Sequence, residues 1–127
     1  MEENKKHRVL VVDDEPAILL SVKFLIERAG FETHAATNGN EAIELAREVL
    51  PQIAVLDVMM PGMDGFKLAE QLRTIDHLSD LRIVFLTAKG TPQDVSEGYR
   101  SGGEVYLTKP FDNDDLVNTI QELAAYG

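Results

Sequence analysis

A chain of 127 residues, 44% of them hydrophobic and 27% charged, is long enough for one globular domain with its own core and too short for two. The absence of cysteine excludes disulfides, thiolate zinc sites and cysteine nucleophiles. The polar amino-terminal residues are not expected to be a signal peptide, and no apolar run approaches the length of a membrane span. The formal net charge of −10 disfavours nucleic-acid binding, which depends on Lys and Arg contacts to phosphates, and suits cations or basic protein surfaces better.

Strand-like and helix-like segments alternate along the chain. In order, the pattern predicts a strand over residues 8–12, a helix over 15–29, an edge strand over 32–36, a helix over 40–49, a strand over 52–56, a helix over 64–74, a strand over 82–86, a helix over 91–101, a strand over 104–107 and a helix over 113–125. Five such units with short connections predict a parallel sheet with helices on both faces. The helix over 91–101 is the weakest of these elements because it contains Gly98, and an interior glycine costs about 1 kcal/mol relative to alanine.

Polar side chains stand where four of the predicted strands end. Asp13 and Asp14 follow the first strand, Asp57 follows the third, Thr87 closes the fourth, and Lys109 comes shortly after the fifth. In open α/β sheets, ligands bind outside the carboxyl ends of the strands, so we expect these side chains to share one rim. Three carboxylates, a hydroxyl and an ammonium group on one rim indicate a site for a divalent cation and a phosphoryl group.

The three carboxylates admit a structural explanation and a functional one. Asp13 and Asp14 could cap the helix that follows them, and Asp57 could simply be a polar residue leaving the sheet. Placed together, however, the three groups would repel one another, and at least one would resist ionisation. Mg²⁺, which binds hard oxygen ligands, would remove that repulsion. A carboxylate in this position could also attack phosphorus and form an aspartyl-phosphate.

Thr87 and Lys109 admit the same two kinds of explanation. A threonine at a strand end is often present only because β-branched residues favour strands, and a lysine after a strand is often a solvated surface residue. At the rim, the Thr87 hydroxyl could instead donate a hydrogen bond to a phosphoryl oxygen. The Lys109 ammonium group could meet the charge on a transferring phosphoryl group.

Taken together, these residues resemble the receiver domain of two-component response regulators. The resemblance covers nearly the whole chain in order, and it rests on Asp13-Asp14-Glu15, on Asp57 with Met60-Pro61-Gly62-Met63-Asp64-Gly65, on Thr87-Ala88, and on Tyr106-Leu107-Thr108-Lys109-Pro110-Phe111. It implies a flavodoxin-like (βα)5 fold, a doubly wound parallel five-stranded sheet of strand order 2-1-3-4-5. It also implies a single receiver domain over residues 1–127, with a polar lead over residues 1–7 and no effector domain in this sequence.

The resemblance assigns a metal-binding set and a phosphorylation site. Asp57 would be the phosphoacceptor, and Asp14 and Asp57 would ligate Mg²⁺ directly. Met59 would add its backbone carbonyl, and Asp13 would act largely through water. Mg²⁺ is therefore the cofactor that the family pattern implies.

The resemblance also assigns a switch. Thr87 would turn toward the phosphoryl group, Lys109 would pair with it, and Tyr106 would be the switch aromatic that moves inward as Thr87 moves. Without the resemblance, the sequence favours a half-buried strand aromatic as the explanation of Tyr106. Phosphorylation adds about −1.5 to −2 charge, which would then bias the surface formed by the predicted fourth helix, fifth strand and fifth helix.

The implied function is that of a signalling module rather than an enzyme in the usual sense. A sensor histidine kinase or histidine phosphotransfer protein would donate the phosphoryl group, and a downstream effector would read the result, without direct nucleic-acid or membrane binding by this chain. A cytoplasmic location is expected. Val105, and the lack of basic residues in 121–127, depart from the dimer surface of winged-helix regulators, so we expect a monomer or a weak phosphorylation-dependent dimer.

Three alternatives use the same sheet. A Mg²⁺-dependent phosphohydrolase with an aspartate nucleophile would need a second acid two residues after Asp57, where Met59 stands. A flavin-binding electron carrier would need a hydroxyl- and glycine-rich loop after the first strand, where the acidic pair would repel phosphate. A degenerate receiver that no longer accepts phosphate is the third, although every chemical position of the family pattern is present.

Overall fold

The computed structural model describes residues 7–60, 62, 64–87, 105–109 and 111–126. Within these residues the strands and helices are β1 (Arg8–Val12), α1 (Pro16–Arg28), β2 (Glu32–Ala36), α2 (Gly39–Val49), β3 (Ile53–Asp57), α3 (Gly65–Leu72), β4 (Arg82–Thr87), β5 (Val105–Thr108) and α4 (Asn113–Tyr126). Each predicted element in this part of the chain is present, with its ends shifted by at most two residues. The predicted helix over 91–101 lies outside the described residues. No helix in the described ranges is both long and apolar enough to cross a membrane.

The five strands form one parallel sheet of order β2-β1-β3-β4-β5. This confirms the predicted doubly wound topology, with β2 at one edge. The pairing aligns Val12 with Leu56, and Asp57 with Leu86. Because the strands are parallel and in register, their carboxyl ends meet at one edge of the sheet, where the predicted site residues stand.

The interior strands are apolar on both sides because both faces of the sheet are covered. One core contains Leu10, Leu56 and Phe85 together with apolar residues of α2 and α3. The other contains Val11 and Val55 together with apolar residues of α1 and α4. Neighbouring residues along each strand point to opposite faces, so the continuous hydrophobic runs of β1, β3 and β4 serve both cores. This packing fixes the strand ends relative to one another.

The boundaries of α1 follow from its end residues. Pro16 is at the first helical position, where its missing N–H and fixed φ are tolerated. Gly30 follows the helix with a φ of +102°, a conformation that glycine adopts without steric cost. The helix therefore begins two residues after the acidic pair that follows β1, and it packs its buried face on the sheet.

Candidate functional site

The strand ends bring the three predicted carboxylates into one cluster. Ligand oxygens of Asp13, Asp14 and Asp57 lie within 4.8 Å of one another. Asp13 is 0% exposed and Asp57 is 3% exposed, whereas Asp14 is the most accessible of the three. Two largely buried carboxylates and a third facing solvent give a concentrated negative charge at the rim.

Asp13 is held in place by contacts that helix capping does not account for. Its backbone N–H donates to the Ala36 carbonyl at 3.2 Å, and its Oδ1 accepts from the Glu15 backbone N–H at 2.9 Å. The N-cap residue of α1 is Glu15, whose side chain makes no capping hydrogen bond within the described part of the chain. Capping therefore does not explain why two aspartates stand here.

Lys109 is the cation that faces this cluster. Its Nζ lies 3.1 Å from Asp13 Oδ2, 3.4 Å from Asp57 Oδ1 and 3.7 Å from Glu15 Oε1. The backbone fixes its position, because the Lys109 N–H donates to the Thr87 carbonyl at 2.7 Å. Burial alone would lower the pKa of Lys109, but the hydrogen bond and charge of Asp13, joined by Asp57, outweigh burial and raise the pKa. The ammonium group therefore stays charged.

Asp57 is nevertheless left with too little positive charge around it. Its pKa is raised from 3.8 to about 6, first by burial and then by the negative charge of Asp13. Lys109 and the Met59 N–H, which donates to Asp57 Oδ1 at 3.3 Å, act in the opposite direction without cancelling these two effects. A further source of positive charge would bring the pKa of Asp57 back toward its ordinary value.

This charge imbalance predicts an unusual effect of a substitution at Asp57. In Mg²⁺-free solution at pH 7, Asp57→Asn should raise the free energy of unfolding by about 1–3 kcal/mol, because it removes a buried charge that the native state holds unfavourably. The native pKa of about 6 lies above the ordinary 3.8, so the native state binds more protons between these two values. Wild-type stability should rise as the pH falls through that window, and the advantage of the variant should disappear near pH 4.

Urea unfolding at several pH values tests this effect. The matched control is Asp76→Asn, which removes the same charge from an exposed position. If Asp57→Asn destabilises the protein at pH 7, or stabilises it no more than Asp76→Asn does, then Asp57 does not carry an unfavourable buried charge in the native state.

The donor set fits Mg²⁺. The ion takes hard oxygen ligands and usually keeps several waters beside one or two carboxylates. Asp13 and Asp57 supply buried carboxylate oxygens, and Asp14 supplies an accessible one. Met59 directs its side chain outward, with 59% of the residue exposed, and its N–H contacts Asp57. Whether its carbonyl is a ligand stays a prediction.

Thr87 and Tyr106 occupy neighbouring strands beside the carboxylates. Thr87 is the last residue of β4 and is 1% exposed, one position beyond the Leu86 that pairs with Asp57. Tyr106 is half-buried on β5, and its ring lies 5.6 Å from that of Phe85 and 6.3 Å from that of Phe66. The structure thus places both predicted switch residues next to the rim, while their switching stays a prediction.

Gly65 supports the site and was not singled out as functional by the sequence. It is the first residue of α3, and its N–H donates to the Val58 carbonyl at 2.9 Å. A Cβ at this position would lie 2.5 Å from the backbone oxygen of Asp57. The glycine in the predicted turn after β3 therefore lets the start of α3 pack directly on the segment that carries Asp57. Only the three-dimensional approach of the two backbones reveals this requirement.

Comparison with known proteins points to the same family as the sequence motifs do. The response regulator receiver domain family matches residues 9–121. PilH of Pseudomonas aeruginosa is 34% identical over 118 residues, which cover 93% of this chain and 98% of PilH. The DNA-binding dual master transcriptional regulator RpaA of Synechocystis is 37% identical over 116 residues, which cover 91% of this chain and 48% of RpaA.

The chain spans about half the length of RpaA and of several other curated relatives that it matches. Among solved structures, the chemotaxis protein CheY4 of Vibrio cholerae superimposes with a TM-score of 0.89 at 31% identity, covering 93% of this chain and 98% of CheY4. The family match extends over most of the sequence, and the strand order and a relative of similar length agree with it. This chain belongs to the receiver domains of two-component response regulators.

Proposed function

We propose that this receiver domain accepts a phosphoryl group on Asp57 in a Mg²⁺-dependent reaction, and that residues 1–127 form one such domain. The observation that carries the proposal is the charge arrangement around Asp57. This carboxylate is buried and has a raised pKa beside Asp13 and Asp14, yet the Lys109 ammonium group lies only 3.4 Å from its Oδ1. The carboxylates can bind one divalent cation, and that cation together with Lys109 can balance the negative charge of a transferred phosphoryl group.

Asp13, Asp14, Asp57 and the backbone carbonyl of Met59 would hold the ion, with Asp13 acting largely through water. Bound Mg²⁺ supplies positive charge that neutralises the carboxylates and the phosphoryl oxygens. The role of Asp57 is nucleophilic: one carboxylate oxygen forms a bond to phosphorus while the bond from phosphorus to the donor histidine nitrogen breaks, and the electron pair stays on that nitrogen. A sensor histidine kinase or histidine phosphotransfer protein would supply the donor.

Lys109 and Thr87 would then contact the oxygens of the transferred phosphoryl group. The Lys109 ammonium group is already oriented toward Asp57 Oδ1, so it can pair with a phosphoryl oxygen after a small movement. The buried Thr87 hydroxyl can donate to another. Tyr106 packs beside Phe85, the second residue before Thr87 in β4, so a shift of Thr87 would bias the position of that ring.

The readout would be a change on the surface that includes β5 and α4, together with the predicted helix over 91–101. A downstream effector protein or domain would bind that surface in one of its two arrangements. We further propose that the domain supports loss of its own phosphoryl group by hydrolysis, without turnover of other substrates. It would act in the cytoplasm, as a monomer or a weak phosphorylation-dependent dimer, and without direct contact to nucleic acid.

The proposal is tested with a small acyl-phosphate donor. Wild-type protein incubated with the donor and Mg²⁺ should gain a single labile phosphoryl group by intact mass, and Asp57→Asn should gain none, because the amide cannot act as the nucleophile. An equal gain by both proteins would contradict Asp57 as acceptor. Steady turnover of phosphomonoesters would instead indicate the phosphohydrolase alternative.

A further inference from the structure

Three carboxylates of the described residues share the Lys109 ammonium group at the rim. Asp13 Oδ2 and Asp57 Oδ1 lie 3.1 and 3.4 Å from Lys109 Nζ. Glu15 Oε1 lies 3.7 Å from the same nitrogen. Asp13 and Asp57 already have roles in the proposed site, as a metal ligand and as the phosphoacceptor. Glu15 has no such role, so its contact with Lys109 needs an explanation of its own.

The backbone of Glu15 is fixed on both sides. Its N–H donates to Asp13 Oδ1 at 2.9 Å, and its carbonyl accepts from the Leu19 N–H at 3.0 Å in the first turn of α1. Glu15 is the N-cap residue of α1, yet its side chain makes no capping hydrogen bond within the described ranges. Glu15 therefore starts from a fixed backbone position beside the rim, and its carboxylate reaches Lys109 instead of the helix backbone.

The negative charge of Glu15 also has an ordinary explanation. An acidic side chain at the start of a helix is stabilised by the positive end of the helix dipole. That explanation gives Glu15 a role in the stability of α1 and none toward a group bound at Asp57. The contact with Lys109 gives it a role toward such a group, so the two explanations predict different results in binding experiments.

In the unphosphorylated protein the attraction between Glu15 and Lys109 is weak. The Glu15 side chain is 61% exposed, whereas those of Asp13 and Asp57 are buried. The carboxylates that raise the pKa of Lys109 are Asp13 and Asp57. Exposed ion pairs contribute little because water and salt screen them. The two buried carboxylates therefore hold the ammonium group, and Glu15 is its weakest partner.

A phosphoryl group on Asp57 would change this balance. It adds about −1.5 to −2 charge at pH 7, and Lys109 would have to pair with it. Glu15 Oε1 and Asp57 Oδ1 are at most about 7 Å apart, because they lie 3.7 and 3.4 Å from the same nitrogen. That separation is shorter than the Debye length of about 8 Å at physiological ionic strength, so salt does not abolish the repulsion. Glu15 and the phosphoryl group would therefore repel each other while both contact the same cation.

We infer that Glu15 is a positioning residue that shares Lys109 with Asp57 and weakens the retention of a phosphoryl group on Asp57. The inference rests on the proposed function, and it names a residue that limits the stability of the phosphorylated state. Removing the Glu15 charge should strengthen the binding of a phosphoryl-like anion and weaken the binding of Mg²⁺, because one carboxylate repels the anion and attracts the cation. A disturbance of α1 would weaken both.

The test measures the binding of beryllofluoride, a tetrahedral anion that mimics a phosphoryl group on a carboxylate, by ¹⁹F NMR at saturating Mg²⁺. Glu15→Gln should bind it roughly three- to fivefold more tightly than wild type, an effect expected of a partly screened charge near the surface. Glu15→Asp keeps the charge and should stay within about twofold of wild type. Glu44→Gln removes the same charge from an exposed position on α2 and should match wild type.

Salt and Mg²⁺ supply two further measurements that a purely structural role would not change in the same way. At about 1 M salt, where the Debye length is about 3 Å, the advantage of Glu15→Gln should fall below about twofold. In a Mg²⁺ titration without beryllofluoride, Glu15→Gln should bind the metal more weakly than wild type. If Glu15→Gln binds both ligands more weakly, or binds beryllofluoride no better than Glu44→Gln does, the inference is wrong.

A double-mutant cycle tests the contact itself in Mg²⁺-free solution without any ligand. In urea unfolding, Glu15→Gln and Lys109→Met should be coupled by a factor of about two in the unfolding equilibrium constant, as expected of an exposed ion pair. Strictly additive effects would overturn the inference. If wild type binds no beryllofluoride at saturating Mg²⁺, the proposed function fails and the inference fails with it. If wild type binds it and Glu15→Gln binds it equally, the inference alone fails.

Discussion

Replacing Lys109 with methionine is expected to slow phosphorylation of Asp57 by a small-molecule donor roughly 100-fold. The Lys109 ammonium group lies 3.4 Å from Asp57 Oδ1 and 3.1 Å from Asp13 Oδ2, so it is the side-chain cation positioned to meet the incoming phosphoryl charge. Methionine keeps an unbranched side chain of similar length while it removes that charge. The rate is measured by intact mass at saturating Mg²⁺, with Lys67→Met as the control for loss of a surface charge. A rate within about threefold of wild type would contradict a role for Lys109 in phosphoryl transfer.

The same substitution separates electrostatics from packing through a double-mutant cycle. Without Mg²⁺ at pH 7, Lys109→Met should destabilise the protein, because buried Asp13 and Asp57 lose the positive charge that faces them. If repulsion between the carboxylates causes that loss of stability, adding Asp57→Asn to Lys109→Met should recover much of the lost free energy of unfolding. Strictly additive effects of the two substitutions would mean that Lys109 stabilises the fold by packing alone.

Gly65→Ala is expected to lower the free energy of unfolding by about 2–4 kcal/mol. Alanine at a helical position ordinarily stabilises a protein by roughly 0.5–1 kcal/mol relative to glycine, so the expected change has the opposite sign to helix propensity. The reason is steric: the added methyl group would lie 2.5 Å from the backbone oxygen of Asp57, and two backbone segments would have to separate. Because one of those segments carries Asp57, Mg²⁺ affinity should fall as well.

Urea unfolding and Mg²⁺ titration measure the two effects of Gly65→Ala. Gly30→Ala is the control, since Gly30 also has a special backbone conformation but nothing within 4 Å of an added Cβ. It should cost only the strain of its positive φ, about 1 kcal/mol. If the two variants lose equal amounts of unfolding free energy, the close contact with the Asp57 carbonyl does not cause the loss in Gly65→Ala.

Much of the phosphorylation site was predictable from the sequence because the rule that identifies it is local. Asp13, Asp57 and Thr87 stand at the ends of apolar runs long enough to be buried strands, and parallel strands place their carboxyl ends on one edge. The prediction erred slightly in extent: Asp57 is the last residue of β3 and not the first residue after it. Strand ends in sequence are set by the hydrophobic pattern, whereas the hydrogen-bonding register with β4 decides them in the structure.

Contacts between residues that are far apart in the chain could not be predicted from the sequence. The sequence indicated that Lys109 belongs to the rim, but only the folded chain shows that it bonds to Asp13, which is 96 positions away. Gly65 was visible only as part of a turn, because its contact with the Asp57 carbonyl arises from packing of α3.

The most direct test of the central claim is to locate the phosphoryl group chemically. Wild-type protein is incubated with an acyl-phosphate donor, with and without Mg²⁺, and then reduced with borohydride, which converts an aspartyl-phosphate into homoserine. Peptide sequencing by tandem mass spectrometry should find homoserine at position 57 only in the sample that contained Mg²⁺. Homoserine at position 13 or 14, equal modification without Mg²⁺, or no modification at all would contradict the assignment of Asp57 as the metal-dependent phosphoacceptor.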